Sequence, residues 1–168
     1  MTLGMSLETF TLVHVIISLI AIVSGLIALF GMIAGKRLDA MNGLFLTTTV
    51  LTSVTGFGFP IHSVTPAVIL GILSLIVLAI ALFARYARHL AGGWRRTYVI
   101  TASIALYFNC FVLLVQSFMK VPALHALAPT QKEPPFAIAQ LIVLVLFVVL
   151  SIVAAKKFRS EAAGAVAR

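Results

Sequence analysis

Three histidines, His14, His62 and His125, and two glutamines, Gln116 and Gln140, are the residues of this chain with most to offer chemically. A neutral imidazole ligates haem iron, copper or zinc, so two histidines on different helices suit a b-type haem held edge-on between them. His14 and His62 are the pair this reading selects, with His125 carried over by its loop as a third metal ligand and Gln116 and Gln140 lining the same layer. Met5 and Met119 fall on the same side, and imidazole with thioether ligands makes copper reasonable too. No spacing signature such as HxxxH or CxxC accompanies the histidines. A second reading makes the layer a pocket for a quinone, a lipid or a small transported solute, with Glu133 or Glu8 and the histidines relaying protons. A third gives His14, Gln116, Gln140 and Asn109 no ligand. They then bond to one another and to backbone carbonyls, fixing helix register at about 0.6 to 2 kcal/mol each, in a non-catalytic structural or assembly subunit.

The elements that must position these residues are membrane helices. The chain has 168 residues, of which 62% are hydrophobic and 10% charged, with a mean hydropathy of +1.19. That is too little polar surface for a water-soluble globule, which carries about a quarter charged residues. Crossing a hydrocarbon core takes about 20 mostly apolar residues, and five runs qualify by that measure. They cover roughly 9–34, 40–60, 66–84, 97–119 and 136–155, and none contains Lys, Arg, Asp or Glu. Within lipid the backbone must bond inside the segment, and the runs are too long and too continuously apolar for barrel strands. The expectation is an all-α integral membrane protein, a five-helix bundle forming a single transmembrane domain over 1–168. The first run is longer than a signal-peptide core and no basic residue precedes it, so it reads as a retained helix. The lone Cys110 sits mid-run and reads as a packing residue.

Orientation follows from where the charges fall rather than from the net charge of +8, which in a soluble protein would have pointed to nucleic acid. With five spans, one side holds Lys120 and Lys132 and the other holds the remaining ten Lys and Arg residues. The positive-inside rule then places the N-terminus outside and the C-terminus in the cytoplasm. Arg85, Arg88, Arg95 and Arg96, beside Trp94, read as an anchor to membrane-lipid headgroups, or else as a basic docking surface for a partner. Such a bundle is compatible with a homo-oligomer or with a place in a larger membrane complex. The six prolines all fall at outer helix ends or in outer connections. The longest of these connections, 120–135, contains "VPALHALA", apolar enough to lie in the interface as a short helix with Pro122 in its first turn. It reads as a lid.

Depth and face set the layer. At about 1.5 Å per residue, His14 lies about 8 to 10 Å into its helix, and Gln116 and Gln140 each lie about 6 Å inside theirs. His14, Ser18, Ala21 and Gly25 share one stripe of small and polar residues suited to close helix contact. Asn109 and Gln116 share a face of the fourth helix. The second helix, rich in hydroxyls and carrying Gly56 and Gly58, reads as central, and the third as lipid-facing. His89, next to Arg88, reads as an interfacial residue.

Familiar enzyme motifs do not occur: there is no glycine-rich phosphate loop, HExxH or GxSxG, and "GFGF" within a span is no dinucleotide fingerprint. The sequence therefore leans away from an enzyme. From His14 through "GLIALFGMIAGKRLDAMNGLFLTTTVLTSVTGF", and again in "YFNCFVLLVQSFMKVPALHALAPTQKEPPF", the chain resembles small bacterial multi-pass membrane proteins with no established activity. These share a first-helix histidine, a basic turn, and an asparagine and glutamine in a later helix before a proline-rich outer loop. Their first cytoplasmic turn often carries a histidine, and "GKRLDAMNG" here has none. The resemblance implies a multi-pass protein of the bacterial inner membrane.

Overall fold

The structure, a computed structural model, describes residues 4–60 and 65–158, and everything it describes in regular form is helical. Six α-helices follow one another: α1 (Leu7–Ile33), α2 (Asp39–Gly56), α3 (Pro66–Leu82), α4 (Trp94–Lys120), α5 (Pro122–Leu127) and α6 (Pro134–Lys157). A single π-helical turn, Phe83–Ala87, prolongs α3.

The helix ends follow from local chemistry. Ser6 caps α1 by accepting the Thr9 N–H at 3.1 Å, and Glu8 adds negative charge beside the helix's positive end. Prolines open α3, α5 and α6, where a missing N–H costs nothing. The other end of α1 needs a left-handed residue, and Gly35 supplies it at φ +71°. Lys36 N–H then reaches back to Gly31 O at 2.8 Å and Gly35 N–H to Met32 O at 3.0 Å, closing a Schellman turn.

Four helical stretches are long and apolar enough to cross a membrane: Leu7–Ile33, Pro66–Ala87, Trp94–Lys120 and Pro134–Lys157. The five-span expectation is thus met in four places. The remaining long helix, α2, spans 18 residues and contains Asp39, Asn42 and five threonines, which lower its hydropathy. It nevertheless lies lengthwise in the bundle. Gly25 of α1 is so close to Phe45 of α2 that an added Cβ would fall 2.7 Å from the ring, and further along the same pair His14 meets Thr55. α1 and α2 are therefore antiparallel. α2 runs back past α3 in the same way, through Ser53–Ser74 at one end and Asp39–Arg85 at the other.

The helix that touches all the others is α4, not α2. Thr101, Ala102, Ser103 and Ala105 are all buried, and this run of small side chains lets neighbours approach α4 from several sides. α6 packs antiparallel to it through Phe118–Phe136 and Tyr107–Phe147, with ring centres 5.4 and 5.8 Å apart. Most of α6 faces outward, with Phe147 and Ala154 its buried residues, so it is more lipid-facing than α3.

This up-and-down order sorts the side chains into two ends. One collects the start of α1, the end of α2, the start of α3, the end of α4, α5 and the start of α6. It is called the histidine end here, after His14 and His125. The opposite, basic end holds eight of the described Lys and Arg residues, against two at the histidine end. The closely packed core lies toward the basic end, built from Leu29, Phe45, Leu78, Tyr98, Leu106 and Phe158 among others.

Candidate functional site

At the histidine end the polar residues meet their neighbours in pairs. His14, half-buried, lies 2.8 Å from the hydroxyl of Thr55 through Nδ1. The Thr55 hydroxyl has a single proton, which goes to Leu51 O at 2.6 Å, so its oxygen accepts from His14 Nδ1–H. The ring's edge rests on Phe59, with centres 5.2 Å apart. Gln140 donates to Phe111 O at 3.4 Å, while its own carbonyl oxygen is buried without a partner. Asn109 donates to Thr49 at 3.3 Å. Gln116 is half-buried on α4. His62 lies outside the described residues, as do Arg159 and Arg168. The structure therefore joins His14 to α2, Gln140 to α4 and Asn109 to α2, rather than to one another.

The connection between α4 and α6 is tied to α4. His125 Nδ1 sits 3.3 Å from Phe118 O, and α5 packs against α4. Gln131, which sequence reasoning passed over, donates to Val115 O at 2.9 Å and so fastens the far end of the loop. Glu133 folds back on its own turn, accepting from the Thr130 hydroxyl at 2.8 Å and from Lys132 N–H at 3.1 Å. Slight desolvation pushes its pKa up, but these hydrogen bonds outweigh it and hold the carboxyl below its ordinary value. Among the described residues, no three His, Cys, Asp or Glu side chains gather into a group that could hold a metal ion.

The basic end carries the more elaborate constellation. Arg85 lies in the π-helical turn and is 5% exposed. Its Nη2 pairs with Asp39 Oδ1, and Arg37 Nε donates to that same oxygen at 2.9 Å. The little burial Asp39 has pushes its pKa up, and the hydrogen bonds and charges of Arg37 and Arg85 more than offset this, holding it below the ordinary value. Tyr98, fully buried, donates to Asn42 Oδ1 at 2.5 Å, and Asn42 donates onward to Leu38 O at 2.7 Å. The Arg85 guanidinium lies 5.4 Å from the centre of the Tyr98 ring and 5.7 Å from that of Tyr86. Arg88 sits over Trp94 at 5.3 Å.

Sequence reasoning placed Arg85 on an exposed basic face because the apolar run ends at Ala84. Arg85 instead lies within the π-helical turn that prolongs α3 and is buried there. Arg88 and Arg96 are exposed and Arg95 half-buried. Asp39 and Asn42 were missed as site residues. Their signal was an acidic residue and an amide in the first turn of a helix, at the end where cations collect.

The interior is closely filled. The void among Gly25, Phe45, Ala102, Ser103 and Leu106 measures about 10 Å³, near the lower limit for one water, and Ser103 Oγ has no partner. A wider cleft of about 320 Å³ between α1 and α2 opens outward and is lined mostly by Leu19, Ile20, Val23, Ile27 and Leu44.

This arrangement defines a multi-pass helical membrane protein. Comparison with family models, with curated proteins and with solved structures returned no match.

Proposed function

We propose that this chain is a non-enzymatic, structural subunit of the bacterial inner membrane, with five spans, its N-terminus outside and its C-terminus in the cytoplasm. One observation supports it above the rest: four pairs of polar side chains inside the bundle each join two helices. His14–Thr55 ties α1 to α2, Ser53–Ser74 ties α2 to α3, and Asn109–Thr49 and Tyr98–Asn42 tie α4 to α2. Without a hydrophobic force between helices in lipid, such bonds and close contacts at small residues are what fix a bundle's register. The excess of cations at the basic end supports the orientation, and the lengthwise course of α2, about 27 Å at 1.5 Å per residue, supports its place as the fifth span. In this setting the exposed Arg88 and Arg96 lie among the headgroups of the inner leaflet.

Two measurements test the proposal. Reporters fused after Lys157 and within the α2–α3 connection should be cytoplasmic and external respectively; an exported C-terminal reporter rejects the topology. The purified protein should show no Soret band and no stoichiometric copper or zinc. A Soret band or bound metal that His14→Ala abolishes would establish the cofactor reading in its place.

A further inference from the structure

At the basic end, positive charge is held where water is excluded and is incompletely balanced. Arg85 is 5% exposed, and its Nε and Nη1 are buried without partners. Asp39 is not its alone, since Arg37 binds the same carboxylate oxygen. Two guanidiniums thus share one carboxylate, and one positive charge remains. Arg95, one turn before Tyr98 on α4, likewise has a buried Nη1 without a partner. A buried guanidinium with unmet donors is unfavourable unless another acceptor reaches it.

We propose that the basic end binds a phosphate-type oxyanion, with Arg85 as the principal donor. A tetrahedral oxyanion offers several acceptor oxygens, and guanidinium forks match them in geometry as well as in charge. Arg85 lies in the π-helical turn, and such turns recur at functional sites. Tyr98 forms one wall, fixed through its hydroxyl to Asn42. Tyr86 forms the other, and at 54% exposed it is the side chain that swings aside to admit the anion. The phosphate is supplied either by an anionic phospholipid headgroup or by free inorganic phosphate. The site deepens the proposed anchoring of this end and rests on that orientation only for which leaflet supplies a lipid.

The test uses the full chain in maltoside micelles, whose headgroups carry no phosphate, with and without phosphatidylglycerol, and with and without inorganic phosphate. Phosphatidylglycerol should raise Tm by about 3 °C or more, and most of the rise should survive about 1 M salt, where screening acts over about 3 Å. Arg85→Lys should abolish the rise and Arg96→Gln should leave it. If inorganic phosphate alone reproduces the shift in lipid-free micelles, the free anion is the ligand and the site stands. No shift with either additive overturns the proposal. So does a shift that salt removes, or one that Arg96→Gln reduces as much as Arg85→Lys does, because it then reports diffuse surface attraction. Should Arg85→Lys fail to fold, the wild-type salt series decides. Micelles have no sidedness, so a negative result here leaves the topology standing, and an exported reporter leaves this site standing.

Discussion

The two ends of this bundle use polar residues in opposite ways. At the histidine end polar side chains meet in separate pairs: half-buried His14 with Thr55, half-buried Gln140 with a backbone carbonyl, buried Ser53 with Ser74. At the basic end several meet in one connected network, Arg37–Asp39–Arg85 beside Tyr98–Asn42–Leu38, whose members Arg85, Tyr98 and Asn42 are buried while Arg37 and Asp39 lie at its open edge. An isolated pair can be lost without consequence for others. In a network, removing one member leaves its partners buried and unsatisfied. The comparison predicts that equivalent substitutions are more damaging at the basic end.

Asp39→Ala gives the largest expected effect. It removes both the charge and the acceptor that answer Arg85, and should destabilise by about 3 kcal/mol, the low end for breaking a buried pair because Asp39 itself is open to water. Thermal melting in detergent measures it. Arg37→Gln, on the exposed arm of the same cluster, should change stability by less than about 1 kcal/mol. Equal effects from the two would mean that Arg85 is not a buried charge dependent on Asp39.

Tyr98→Phe comes next. It keeps the ring beside Arg85 and removes the hydroxyl, leaving Asn42 Oδ1 buried without its donor, at a cost of about 1 to 3 kcal/mol. The double change Tyr98→Phe with Asn42→Leu should recover part of the loss, since an apolar pair leaves nothing unsatisfied. Additive losses in the double variant would show that the two side chains act independently.

The histidine end should give a smaller coupling. A double-mutant cycle on His14→Ala and Thr55→Val should yield about 0.6 kcal/mol, and no more than about 1.7, the range found for hydrogen bonds between membrane helices. A coupling matching that of the basic end would erase the distinction between the two regions.

Much of this was legible in the sequence. Continuous apolar runs specify helices in lipid because the backbone has no other way to satisfy itself, so the all-α, multi-pass character could be read from hydropathy. Two things could not. The count of spans is one: the run 40–60 qualifies by apolar length, yet the polar residues of α2 keep it out of the four helices apolar enough to cross a membrane, although Thr48 bonds back to Leu44 O at 2.7 Å. The burial of Arg85 is the other: it falls within a π turn, and no periodicity argument at 3.6 residues per turn anticipates that. The candidate histidine layer was inferred from depth along separate helices. Depth does not fix which way a side chain faces across the bundle, and Thr55, at matching depth on the antiparallel neighbour, is what His14 meets.

The smallest effect expected is a pH dependence confined to acid. The Asp39 pKa in the folded protein lies below its ordinary value of 3.8. The charge on Asp39 therefore contributes stability that is fully present above about pH 4 and is lost as pH falls through the lower, folded value. Protonation removes the charge but leaves a carbonyl oxygen that still accepts a hydrogen bond, so the loss should be far smaller than for Asp39→Ala. Asp39 is 58% exposed at its side chain, so solvent screening reduces the contribution to a fraction of 1 kcal/mol. Melting followed from pH 6 to about pH 3 should show a shallow decline in the wild type that is flattened in Asp39→Asn. The control is Glu133→Gln at the other end, which should remove its own share of the acid sensitivity and leave that of Asp39 in place. A decline that Glu133→Gln abolishes and Asp39→Asn does not would move the pH-sensitive contact from the basic end to the loop ahead of α6.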